Sequence, residues 1–247
     1  MSRTPTRPAG ELPGDPARLY FSYGHGHGAE QWDDEDTLEC WHVGIRYGVS
    51  GDEDELDREE DQDSDLPEEP APGTKVGDIM LYRIRDCTGR DRWQVADAHS
   101  GDLEVIARAV FSRKHGTYAK AFDKAVAMPA GDLLILDRVR LDKSWRGFGL
   151  GPLCAAEAIR RLSGGCCAVA AYPAMSEYPD EREKVTEEYR EQAKTKIAAL
   201  WESMGFRRFR HGVWLLDTAL RAPEDLLHAR QEEMQALSAA YLVQRGH

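Results

Sequence analysis

The stretch of this chain best suited to chemistry is Arg146-Gly147-Phe148-Gly149-Leu150-Gly151. It follows an apolar, strand-like run over 133–141 and precedes a helix-like run over 152–162. A glycine-rich turn between a strand and a helix can wrap a diphosphate. Glycines admit positive φ and close backbone approach, the turn amides point inward, and the helix N-terminus adds partial positive charge. Arg146 adds a full positive charge at the mouth of the turn. The spacing matches neither common phosphate-binding pattern: Pro152 stands where a dinucleotide fingerprint has its last Gly or Ala, and no Gly-Lys-Ser/Thr follows as in a P-loop. A tight connection without a ligand is the plain alternative.

Two other groups invite a chemical reading. Gly24-His25-Gly26-His27-Gly28 puts two histidines two residues apart, but with no Cys or third His nearby it reads as a flexible turn and not as a metal site. The five cysteines, Cys40, Cys87, Cys154, Cys166 and Cys167, are odd in number and contain no C-x-x-C. They read as reduced thiols, with Cys166 and Cys167 in the core.

The turn is flanked by Val139-Arg140-Leu141-Asp142 and Lys143-Ser144-Trp145, and about fifty residues on comes Ile197-Ala198-Ala199-Leu200-Trp201-Glu202-Ser203-Met204-Gly205-Phe206. On these two motifs, in this order, the chain resembles the GNAT acyltransferase superfamily over residues 78–217. The second motif looks like that family's A-x-x-L-Y-E-x-x-G-F helix end, with Ile197 in place of the Ala and Trp201 in place of the Tyr. The resemblance implies an acyl-CoA-dependent N-acyltransferase, with acetyl-CoA as co-substrate, passing its acyl group directly to an amine in a ternary complex. The cofactor diphosphate would take the amides of Arg146, Gly147, Phe148, Gly149, Leu150 and Gly151. The thioester carbonyl would take a backbone N–H at Val139 or Leu141. Lys194 stands where the family often has an Asn near the start of its helix, and could approach a phosphate.

Many members of the family carry a Glu as base on the strand before the turn, and this strand has none. Asp137 is the candidate base, directly or through water. By strand alternation its side chain shares a face with Ile135 and Val139. Desolvation there would raise its pKa towards usefulness, and pairing with Arg138, Arg140 or another cation is the alternative role. Trp201 occupies the position of the family's general acid. Its indole N–H is no practical proton donor to a thiolate, and it lies in an apolar stripe that suits packing. Tyr189 or Tyr172 could substitute, or the thiolate could leave unassisted. A different class of function stays open: a non-catalytic module of the same fold that binds CoA esters, or a protein partner through an acidic loop.

Composition bounds the rest. The chain has 247 residues and a net charge of −12, but residues 51–70 alone hold twelve Asp/Glu and one Arg, leaving the remainder near −1. That segment predicts a solvated insertion over 51–73, outside any core. No basic run with interleaved aromatics appears, which predicts no nucleic-acid partner. Residues 1–15 hold no apolar core for a signal peptide or anchor, and no apolar run reaches the ~20 residues that span a bilayer, so a cytoplasmic protein without membrane contact is expected. The expected partners are a small-molecule or protein amine, and the chain is expected to be a monomer or a homodimer.

The elements that must position the turn follow from periodicity. Strands are predicted over 17–23, 37–47, 78–86, 133–141 and 166–172, with a hairpin of 206–210 and 213–218 around His211-Gly212. Helices are predicted from Ser100 as N-cap, over 152–162, at Ile197, Leu200, Trp201 and Met204, and from Pro223. Residues 178–192 predict a loop and the first turns of a helix. Strands that alternate with helices yet also pair by hairpins predict an α/β class. The resemblance specifies it further, as a three-layer fold on a mixed, mostly antiparallel twisted sheet. In it the central parallel strands 133–141 and 166–172 splay apart to admit the acyl-pantetheine arm. The organisation expected is a disordered tail over 1–16, one domain over 17–220 and a C-terminal helix over 221–247.

Overall fold

Four successive apolar residues, Leu133, Leu134, Ile135 and Leu136, are fully buried, and they form the first half of a strand covered on both faces. This strand, β4 (Asp132–Leu141), lies in the middle of a seven-stranded sheet. The other strands are β1 (Leu19–His25), β2 (Leu38–Tyr47), β3 (Thr74–Ile84), β5 (Cys166–Ala171), β6 (Arg207–Arg208) and β7 (Trp214–Asp217). The computed structural model describes residues 6–29, 34, 36–48, 69–173 and 186–245. The strand order is β1-β2-β3-β4-β5-β7-β6, and every pairing is antiparallel except β4 with β5.

The helices are α1 (Arg92–His99), α2 (Gly101–Val110), α3 (Lys120–Asp123), α4 (Leu150–Leu162), α5 (Glu187–Ser203) and α6 (Arg221–Gln244). Alternation along β4 divides them into two layers. Leu133 and Ile135 pack with Ala96, Leu103, Ile106 and Phe122 of α1 to α3. Leu134 and Leu136 pack with Leu153, Ala155 and Ile159 of α4, Trp201 of α5 and Tyr241 of α6. Each such Leu, Ile or Phe side chain, fully buried, stabilises the fold by about 1.5–3 kcal/mol. The result is the mixed α/β, three-layer arrangement expected, with β4 and β5 as its parallel central pair.

Helix starts follow their caps. The Ser100 hydroxyl accepts from Leu103 N at 3.3 Å and opens α2, as its position before an amphipathic run predicts. α1 has no such apolar signature and escaped the sequence reading; Asp91 opens it by accepting from Trp93 N and Gln94 N at 3.0 and 3.2 Å. Among the described residues no helix is long and apolar enough to cross a membrane.

Two expectations about the N-terminal half are corrected. Residues 6–16 are not a tail. Leu12 is only 1% exposed within the α4–α6 core, and Asp15 caps the short 3-10 turn Pro16–Arg18. Leu12 was missed because a single apolar residue among Pro and Gly carries no periodicity. The acidic insertion expected over 51–73 lies mostly outside the described residues, but its end is built into the fold. Glu69 accepts hydrogen bonds from Tyr47 and Tyr241 hydroxyls at 2.9 and 2.8 Å, and pairs with Arg18 at 2.9 Å.

Glu69 therefore ties the entry to β3 to β2 and α6, and gives a pH-dependent prediction. Burial alone would raise its pKa, but the hydrogen bonds from Tyr241 and Tyr47 and the charges of Arg18 and Arg245 outweigh that and lower it. A depressed carboxylate contributes stability above its unfolded value, and that contribution is lost as pH falls through the lower, folded one. Burial and the Glu69 hydrogen bond push Tyr47 up to about 12 and raise Tyr241 as well. Raised phenols stabilise below about pH 10 and lose that contribution as pH climbs through their folded values. Glu69→Ala should lower the melting temperature by roughly 5 °C at neutral pH, with the difference from wild type shrinking at both extremes. An unchanged melting temperature would remove the network from the account of stability.

Candidate functional site

The candidate site is built where β4 and β5 stop pairing. Their parallel ladder runs from Asp132 opposite Cys166 to Leu136 opposite Ala171. β4 then continues to Leu141, while β5 ends and is followed by Tyr172 and Pro173. Residues 137–141 thus have β3 on one side and no ladder partner from β5 on the other.

The direction of the β4 amides follows from the ladder. Asp142 N donates to Val76 O at 2.8 Å, so Asp142 and, by alternation, Arg140 turn their polar groups towards β3. Val139 and Leu141, the intervening residues, turn theirs towards the unpaired side. Leu141 O agrees, since it accepts from Arg146 Nε at 2.6 Å. The two amides named from sequence as oxyanion donors therefore face the gap.

The turn itself separates its side chains from its backbone. Trp145, Phe148 and Leu150 are 2%, 2% and 1% exposed, wedged into the core with Leu12 and Tyr47. Only the backbone of Phe148 and Leu150 can serve a ligand. Gly147 and Gly149 take φ of 92° and 81°, the left-handed region that glycine enters without strain. A Cβ at Gly149 or Gly151 would meet no protein atom within 4 Å, so packing does not demand glycine there. Open space is what a diphosphate needs. α4 begins at Leu150 with Gly149 as N-cap and no side-chain cap, so its first amides and its positive dipole end face that space. The residues present thus fit the phosphates of a CoA ester. Arg146 lies at the same mouth and braces the end of β4 through Leu141 O. Lys194 sits on a different element, α5, where its Nζ donates to Glu191 at 2.7 Å.

Asp137 falls at a break in register. Leu81 pairs with Leu136 and Met80 with Arg138, which leaves Asp137 as the extra residue of a β-bulge. The bulge corrects the expected alternation. Asp137 stays on the α1–α2 side with Ile135, whereas Val139 packs on the α4 side. The side chain is 13% exposed and Arg138 Nη2 approaches it at 3.3 Å. Its negative charge is felt by three neighbours, Tyr82, Cys40 and Asp102. Burial, then Asp137, pushes the Tyr82 phenol up to about 12. Burial, then Asp137, also raises Cys40 and Asp102, the latter partly offset by Arg138. His99 closes the group with its ring edge-on to Tyr82 at 4.8 Å. Tyr82, His99 and Asp102 were invisible beforehand, because β3 and the α1–α2 junction bring them to β4 only through the fold.

The candidates for proton donation separate. Trp201 is 4% exposed and packs on Phe206 at 5.7 Å, yet its Nε1 is buried without a hydrogen-bond partner among the described residues. Tyr172 packs over the β6–β7 turn, within 3.2 Å of where a Cβ on Gly212 would stand. The side chain of Tyr189 lies outside the described residues. All five cysteines are free thiols, and burial raises Cys154 and Cys166 to about 12, which keeps both protonated. His25 stacks on Trp41 at 5.1 Å with Nδ1 3.1 Å from Cys40 O.

No protein-family model matches the chain, and no curated protein does either. Among solved structures it is similar to a KacTA–DNA complex at 12% identity and TM-score 0.38, covering 85% of this chain and 99% of that one. It is similar to AtaTR bound with AcCoA at 12% and 0.36, covering 85% and 98%. It is also similar to AtaT complexed with acetyl-methionyl-tRNAfMet at 11% and 0.35, covering 85% and 99%. A likeness this distant assigns neither activity nor acceptor. It does correct one expectation: two of these structures hold a nucleic acid, so the sequence-based exclusion of nucleic acid as a partner is withdrawn. Arg108, Arg113 and Arg210, distant in sequence, line one cleft of about 430 Å³ with Trp93 and Phe111, together with Asp97 and with Glu104, which pairs with Arg108. The Arg113 guanidinium lies 4.9 Å over the Trp93 ring there. These three arginines meet only in the folded chain, so no contiguous basic run announces them.

Proposed function

We propose that this chain is an N-acyltransferase that takes its acyl group from a CoA ester, acetyl-CoA in the simplest case, and passes it directly to an amine. The observation that carries this reading is the open face of the turn. Gly149 and Gly151 leave unfilled space before the uncapped N-terminus of α4, beside the strand whose Val139 and Leu141 amides have no ladder partner. The two sequence motifs that resemble GNAT acyltransferases support it independently.

In this reading the turn amides and the α4 dipole hold the diphosphate. The pantetheine arm runs into the gap between β4 and β5, and the Val139 amide stabilises the oxyanion that forms as the amine attacks the thioester. The acceptor enters from the α1–α2 side. Asp137 and Asp102 draw it as a cation, and Asp137 removes its proton, directly or through water. The thiolate leaves against the buried Trp201, whose N–H can donate a hydrogen bond but not a proton. Trp201→Tyr, which restores an ionisable phenol there, should raise kcat several-fold at constant acetyl-CoA affinity. A fall in kcat would show that the indole itself is needed.

The second reading, a CoA-binding module without turnover, is favoured by Trp201 alone. Thiol release from acetyl-CoA, followed across a panel of small amines, peptides and aminoacylated RNA, tests the choice. Release that depends on one acceptor class supports transfer. CoA binding without release for any of them supports the module.

A further inference from the structure

We propose that residues 6 and 7 form the back wall of the diphosphate site, gripping the glycine-rich turn by its carbonyls so that its amides stay aimed at the open side. The inference rests on the reading above and adds Thr6 and Arg7 to it as positioning residues. Gly147 O accepts from Thr6 N at 2.8 Å, Arg7 N at 3.2 Å and Thr6 Oγ1 at 3.2 Å. Arg7 Nη1 donates to Ser144 O at 3.2 Å and Arg146 O at 3.4 Å. The guanidinium lies 4.6 Å over the Phe148 ring, and Nε is held by Glu11 at 2.9 Å. Leu12, buried in the core with Trp145 and Phe148, anchors the segment.

The arrangement has a clear electrostatic consequence. A carbonyl oxygen repels a diphosphate, and a peptide unit free to flip can present either end to it. Here the carbonyls of Ser144, Arg146 and Gly147 are all occupied by donors from residues 6 and 7, which fixes the orientation of those peptides. Glu11 engages the Arg7 fork from the other side, so Arg7 serves as a clamp and not as a free phosphate ligand.

The glycines divide the same way. A Cβ at Gly147 would lie 2.9 Å from Arg7 Cδ and 3.0 Å from Thr6 Oγ1, whereas one at Gly149 or Gly151 meets nothing. One glycine of the motif is shaped to residues 6 and 7, and two are left for the ligand.

The test uses the full chain, Arg7→Ala, Arg7→Lys and a deletion of residues 1–10 that keeps Leu12. Amide hydrogen exchange on the ligand-free proteins reads the clamp. The amides of 147–151 should exchange faster in Arg7→Ala and faster still in the deletion, with partial recovery in Arg7→Lys. Calorimetric titration with CoA reads its purpose. Affinity should fall about tenfold in Arg7→Ala. Unaltered exchange would overturn the clamp. Faster exchange with undiminished CoA affinity would overturn its role in binding. If the unmodified chain binds no CoA while its exchange still responds to Arg7→Ala, the reading of the site as a CoA site falls, and this inference with it.

Discussion

Gly151→Leu should fold normally and lose CoA binding, and Gly149→Val should lose it too. Position 151 is the cleaner of the two. Gly151 lies in the first turn of α4 with ordinary helical φ, and a Cβ there meets no protein atom. Replacing a helical glycine removes backbone entropy from the unfolded chain and stabilises by about 0.5–1 kcal/mol. Gly149 has φ 81°, so any side chain there adds backbone strain of about 1–2 kcal/mol. A turn that merely connected β4 to α4 would therefore welcome a side chain at 151. Gly151→Leu should raise the melting temperature without ligand by a degree or more. It should also abolish the further rise that CoA gives the unmodified chain by mass action. A higher melting temperature with a full CoA response would mean that the space before α4 is not the binding site.

Asp137→Asn should cut turnover by roughly 10²–10⁴-fold, the range for loss of a general base, with CoA affinity little changed. The separation follows from the geometry. Asp137 is carried on the α1–α2 side by the bulge opposite Met80 and Leu81, while the turn lies beyond the end of β4. Tyr82 adds a second readout. Its phenol is raised by burial and then by Asp137, so the asparagine variant should bring its titration down from about 12. A lowered Tyr82 titration with near-normal turnover would leave Asp137 as a structural neighbour and remove it from the chemistry.

What the sequence made legible was whatever is local. The strand of Leu133 to Leu136, the turn after it, α4 and the Ser100 cap are each set by residues within a few positions of one another, and each stands where the pattern put it. The amide directions of Val139 and Leu141 were implied by resemblance and follow from the β3 register. What failed was non-local or broke a period. The bulge at Asp137 inserts one residue and reverses every later face of β4, so alternation misplaced Val139 relative to Asp137. Leu12 and Arg7 gave no periodic signal, because a short segment packed against a distant turn is specified by that turn and not by its own pattern. Glu69 was hidden in a run of like charges, and its role depends on Tyr47 and Tyr241, the latter 172 residues away. Arg108, Arg113 and Arg210 meet only in the folded chain.

The central claim is that a CoA ester lies with its diphosphate on the turn and its thioester at the unpaired half of β4. Titrating the isotopically labelled chain with CoA and then acetyl-CoA, and following backbone amide resonances, tests it most directly. The account predicts that the largest shifts with CoA fall on Gly147, Gly149, Leu150 and Gly151. It predicts further shifts at Val139 and Leu141 when the acetyl thioester is present. Shifts concentrated elsewhere, or none at Gly149 and Gly151 at saturating CoA, would contradict it.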